Sequence, residues 1–175
     1  MAWTTPSTYV AGAILTAASL NTNVRDNTNA LYSTVQRLGY QTRTTSYTTT
    51  STSAPGPTNI FATSISWTAD GTSAYLLEFY SPSVSTSSTA GSFVVTTFTT
   101  NTGTSICYAT QTGFGDGTRA ATNPNFARYL YTPSAGTATF NVRAYHGTAA
   151  GTVDAGAGGN AIAPMYIAVY GPPLA

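Results

Sequence analysis

The feature that most constrains this chain is a change of period at Gly39. Before it, apolar residues recur at helical spacing. After it they alternate, in short runs rich in Val, Ile, Thr, Tyr and Phe. The β-type runs are 59–67, 73–80, 92–100, 104–111, 126–131, 137–145 and 164–170, and residues 41–49 supply an eighth. Between them lie Asp70-Gly71, Asn101 to Gly103, Asp116-Gly117 and Pro133 to Gly136, residues that reverse a chain because Gly accepts positive φ and Asp or Asn bonds its own backbone. Strands this regular, with no helical run between them, predict a mainly β fold: an eight-stranded antiparallel jelly-roll sandwich. The expected organisation is an arm plus helix over 1–39, a Ser/Thr-rich linker and first strand over 40–57, and a head domain over 58–175.

The alternation is apolar on both faces. Tyr75, Leu77 and Phe79 point one way while Leu76 and Tyr80 point the other, and Tyr166, Ala168 and Tyr170 oppose Met165, Ile167 and Val169. An antiparallel sheet with one solvated face carries polar residues there. Two apolar faces predict that the second is covered by a neighbouring subunit, so Tyr75, Leu77, Phe79, Phe140, Val142, Tyr166 and Ile167 are candidates for head-domain core or subunit interface.

Residues 1–15 read as an extended arm, with Pro6 and Gly12 against helix and Trp3, Tyr9 and Val10 favouring β structure. From Thr16, a plausible N-cap, the apolar residues Leu20, Val24, Leu31, Val35 and Leu38 step at helical spacing to Gly39, a good residue just past a helix end. In heptads, Ala17, Val24, Leu31 and Leu38 fall on a, and Leu20, Asn27 and Thr34 on d. Polar d residues weaken a coiled coil but fix its register and oligomer number. The alternative is an amphipathic helix lying on its own domain. Three Asn27 amides on a trimer axis would suit an anion.

Charged residues make up 6% of the 175 residues, against about 25% in ordinary soluble domains. There is no lysine, and Arg25, Arg37, Arg43, Arg119, Arg128 and Arg143 are scattered through a chain of net charge +1. Phosphate binding draws on clustered cations, so no nucleic-acid partner is expected. Ser and Thr form roughly 30% of the chain, giving a hydroxyl-rich, nearly neutral surface of the kind found on extracellular or virion exteriors. The start lacks the basic and apolar regions of a secretory signal, and no apolar stretch approaches the ~20 residues of a bilayer-spanning helix. Neither a signal peptide nor a membrane partner is expected. Cys107, alone in the apolar run Ile106-Cys107-Tyr108, reads as a small buried hydrophobe.

Catalysis is poorly supplied. His146 is the only histidine, too few for a zinc site of several His or Cys ligands, and no Gly-x-Ser-x-Gly elbow accompanies it. The acids Asp26, Asp70, Glu78, Asp116 and Asp154 are far apart, although folding could join Glu78 to another acid. The glycines at 156–159 lack the Lys-Ser/Thr of a phosphate loop. The expectation is no enzyme, cofactor or metal.

The string Trp3-Thr4-Thr5-Pro6, Val10-Ala11-Gly12, Leu15 to Ala18 and Leu20-Asn21 through Val24-Arg25-Asp26-Asn27 to Leu31 resembles the N-terminal segment of virion structural proteins of tailed phages, particularly those of actinobacterial hosts. Tyr131 to Thr137, Phe140 to Ala144, Gly156 to Gly159 and Pro164 to Val169 resemble the trimeric C1q/TNF-type jelly roll that such proteins often carry. One departure is Thr28, where those segments commonly place an apolar residue after Arg-Asp-Asn. It removes about 1.5–3 kcal/mol per subunit from a buried helical core.

The resemblance implies a non-enzymatic homotrimer on the capsid exterior, a decoration or cement protein gripping the major capsid protein through Trp3, Pro6, Tyr9 and Val10, with Arg25 and Asp26 as orienting contacts. Leu20, Val24, Asn27, Leu31, Val35 and Leu38 would pack the helix or trimer. Three linked weak arms raise effective affinity without new contacts. The second expectation is a tail- or baseplate-associated receptor-binding tip whose exposed tyrosines stack on a cell-surface glycan.

Overall fold

The computed structural model describes residues 16–21, 24, 36–154 and 164–171. Among these the fold is mainly β and antiparallel, with one four-residue helical turn, α1 (Ala17–Leu20). The strands are β1 (Arg37–Arg43), β2 (Tyr47–Thr48), β3 (Ile65–Ala69), β4 (Tyr75–Ser85), β5 (Val94–Thr99), β6 (Ser105–Gln111), β7 (Thr122–Tyr131), β8 (Gly136–His146), β9 (Thr152–Asp154) and β10 (Met165–Tyr170).

Two sheets result. In the first, β7 pairs with one edge of β4, while β10 and β9 share the other, β10 against residues 76–80 and β9 against 83–85. Outside them lie β1 on β10 and β2 on β9, giving the order β1-β10-β4-β7. The second sheet has the order β3-β8-β5-β6.

Alternation decides which side chains meet between the sheets. Tyr75, Leu77 and Phe79 of β4 and Met165, Ile167 and Val169 of β10 join Ile65 and Trp67 of β3, Phe98 of β5, and Phe140 and Val142 of β8 in one buried cluster. Rings lock it across and within the layers: Phe61 meets Phe79 edge-on at 6.4 Å, Trp67 meets Tyr75 at 5.4 Å and Phe98 meets Phe140 at 5.0 Å. Each such side chain contributes about 1.5–3 kcal/mol of burial, so the sandwich stands on this one core.

The helix expected over 16–38 is not supported. Arg37 and Leu38 belong to β1, whose pairing with β10 begins at Arg37↔Tyr170, and Leu38 packs against the sandwich core. Gly39 is no helix cap. A Cβ there would collide with the Ile65 side chain, so glycine lets the two sheets approach, beside a register shift between Arg37 and Gly39. Strand pairing over seven residues overrides a helical spacing carried by few apolar side chains. Leu20 lies in α1 and Val24 is 56% exposed. Asn27, Leu31 and Val35 lie outside the described residues, as do Trp3, Pro6, Tyr9, Val10, Arg25 and Asp26.

The run at 41–49 divides into the end of β1 and β2, and β9 is a strand the periodicity does not reveal. The run at 59–67 breaks after Phe61. There the Asn141 side chain takes over from the strand ladder, donating to the Phe61 carbonyl at 2.9 Å and accepting from the Phe61 N–H at 3.3 Å.

Candidate functional site

The register of the first sheet dictates what its outer face carries. The pairs Tyr80↔Phe126, Glu78↔Arg128 and Leu76↔Leu130 on one side of β4, and Tyr166↔Tyr80, Ala168↔Glu78 and Tyr170↔Leu76 on the other, place all these residues on one surface. Tyr40 joins them as the partner of Ala168, and Arg37 as the partner of Tyr170. Tyr166 stands in the middle, its ring 5.5 Å from Tyr40 and 5.4 Å from Tyr80. The Arg37 guanidinium lies 4.7 Å from the centre of the Tyr40 ring, and that of Arg128 lies 4.8 Å from the centre of Phe126.

At the centre of this aromatic surface is a carboxylate. Glu78 is 4% exposed, and both of its oxygens are occupied: Oε2 accepts from Arg128 Nε at 2.7 Å and Oε1 from the Tyr166 hydroxyl at 2.8 Å. Burial first, then the hydrogen bond to Glu78 and its charge, push the Tyr166 phenol well above the usual tyrosine range. A buried carboxylate must be paired to be tolerated, and here the pairing also fixes the central ring. Around it Tyr40 is 41%, Phe126 51% and Leu130 56% exposed.

Elsewhere the polar groups with candidate chemistry hold turns and loops. Asp70 accepts from the Thr72 and Ser73 N–H groups and the Ser73 hydroxyl at 2.6 to 2.8 Å, which holds its carboxyl well below the usual range. Asp116 does likewise with the N–H groups of Arg119 and Thr118, and its carboxyl is also lowered. Asp154 accepts from Ser85, and His146 Nδ1 lies 2.9 Å from Thr49 Oγ1. The Cys107 thiol, half-buried against the core, is pushed up by burial. The glycines at 156–159 and the axial position of Asn27 lie outside the described residues.

Of the residues named from sequence, Tyr75, Leu77, Phe79, Phe140, Val142 and Ile167 face the core, while Tyr166 faces outward. The sequence reading missed Tyr40, Arg128, Phe126 and Leu130. A signal for the last three was present, since 126, 128 and 130 alternate with the same period as 76, 78 and 80. Tyr40 was hidden by the apparent helix ending beside it.

No protein-family model matches the chain, and no curated protein matches it. Among solved structures, it is similar to a chain described as the structure of infectious bursal disease virus Gt strain, at 17% identity over 80% of this chain and with a TM-score of 0.33. It spans 39% of that chain. No helix among the described residues is long and apolar enough to cross a membrane.

Proposed function

We propose that this chain is a non-enzymatic structural protein of a tailed-phage virion: a trimeric jelly roll that decorates the capsid exterior and attaches to the major capsid protein through its N-terminal arm, residues 1–15. The observation that carries the reading is the outer face of the first sheet. Seven apolar or aromatic side chains, Tyr40, Leu76, Tyr80, Phe126, Leu130, Tyr166 and Tyr170, share it around one internally neutralised carboxylate. A solvated sheet face would be polar, and a chain this poor in charge keeps such a surface from indiscriminate association by closing it in a symmetric oligomer.

Two further features support the reading. The strand order β1-β10-β4-β7 over β3-β8-β5-β6, with the short β2 and β9 beside it, supports the jelly-roll reading and is in keeping with the C1q/TNF resemblance of the C-terminal segments. The string from Trp3 to Leu31 resembles the anchoring segments of tailed-phage virion proteins. A receptor-binding tip on the tail or baseplate is the second reading, favoured by Tyr108, which is 69% exposed on the second sheet.

Electron microscopy of intact particles tests the placement. Density at many symmetry-related points on the head supports decoration, and a few copies confined to the tail overturn it in favour of the second reading. Deleting residues 2–15 should leave a folded trimer that no longer sediments with particles. Co-purification of the truncated protein would refute attachment through the arm.

A further inference from the structure

The outer face of the second sheet is largely hydroxylated, with Ser66 and Thr68 of β3 opposite Thr139 and Thr137 of β8. It departs from that pattern at one corner. There Val95 of β5, Tyr108, Ala109, Thr110 and Gln111 of β6, and Tyr145 of β8 line an open groove of about 340 Å³. That is near the lower end of the ~300–1,000 Å³ of small-molecule sites.

The groove is made by an irregularity in pairing. Thr96 pairs with Thr110 and Thr97 with Tyr108, leaving Ala109 as the extra residue. Without it, period-two alternation from Gln111 would turn Tyr108 toward the core. With it, Tyr108 stands on the outer surface beside Tyr145, the kind of re-aiming that bulges provide at binding sites. The aromatic strip continues through Phe93, edge-on to Tyr145 at 6.4 Å and to Phe114 at 5.7 Å.

The chemistry of the lining selects the ligand. None of the six lining residues is charged at neutral pH. Arg143, on the same face, is turned away into a loop clamp, donating to Asn59 Oδ1 at 2.8 Å and to the carbonyls of Gly56 and Asn101. Thr97, the register partner of Tyr108, is fully buried, and its Oγ1 has no hydrogen-bond partner among the described residues. An exposed Tyr108 ring beside Tyr145, with amide and hydroxyl groups next to them and no charged side chain in the lining, suits a molecule with apolar C–H faces and a rim of hydroxyls.

We propose that this groove binds a neutral saccharide, with one sugar ring stacked on Tyr108 and its hydroxyls bonded by Gln111 and the Tyr145 phenol. The full-length chain is titrated, with amide resonances followed by NMR, against neutral hexasaccharides of glucose, mannose, galactose and N-acetylglucosamine, with a heparin hexasaccharide as the charged control. The expected result is binding of at least one neutral sugar, with shifts centred on Val95, residues 108–111 and Tyr145. Affinity should fall about tenfold, 1.4 kcal/mol, in Tyr108→Ala and be retained in Tyr108→Phe, which keeps the ring. No binding by any neutral sugar, preference for heparin, or equal affinity in wild type and Tyr108→Ala overturns the proposal. The outcome is independent of where on a particle the protein sits.

Discussion

The two sheets share one core but present opposite surfaces. Where β3 pairs with β8, the outward positions are Ser66, Thr68, Thr137 and Thr139, all hydroxylated. The equivalent positions of β4, β10 and β7 are Leu76, Tyr80, Tyr166, Tyr170, Phe126 and Leu130. Composition alone cannot explain the contrast, because Thr is abundant throughout the chain. The difference fits the proposed roles: one surface left to water and small solutes, the other covered by further copies of the chain.

The shared core gives the largest expected effect. Phe79→Ala in the first sheet and Phe140→Ala in the second should each cost about 3–5 kcal/mol, in a single denaturant transition reported alike by Trp67 fluorescence and circular dichroism. Two separate transitions would break the picture of one core with two surfaces. Next comes the contrast itself. Leu130→Arg places a guanidinium in the proposed subunit contact and should raise the dissociation constant by about two orders of magnitude, on the order of 3 kcal/mol. Thr68→Arg, exposed on the other sheet, should leave the mass in light scattering unchanged.

A smaller effect tests the centre of the aromatic face. The raised Tyr166 pKa means that the folded protein holds the phenolic proton more tightly than the unfolded chain does. Stability is therefore full below the ordinary tyrosine value of about 10 and declines as pH rises above it. Tyr166→Phe should lower the urea midpoint at pH 8, by about 1 kcal/mol for the lost hydrogen bond to Glu78, yet flatten the loss between pH 8 and 11. An unchanged alkaline slope would mean that Tyr166 does not couple to the fold through its proton.

Much of the sandwich was legible because its strands are long and alternate cleanly: Ala138, Phe140, Val142 and Ala144 declare β8, and Asp70-Gly71 declares the turn before β4. What was not legible depended on distance. Glu78 and Arg128 are fifty positions apart in sequence and meet only through the β4–β7 register, and β9 has three residues, too few for a period. Leu38 and Gly39 fitted a helix end equally well, because a glycine required for close approach to Ile65 looks, in sequence, like one required for a cap. The Tyr108 groove could not be read at all, since one bulged residue reverses the side on which alternation would place the ring.

The central claim is that the aromatic face of the first sheet is covered by further copies of this chain. Sedimentation velocity of the full-length protein across the micromolar range tests it most directly. A single species of three chains, shifting toward one chain on introducing Leu130→Arg, is the predicted result. A monomer at every concentration would contradict the account.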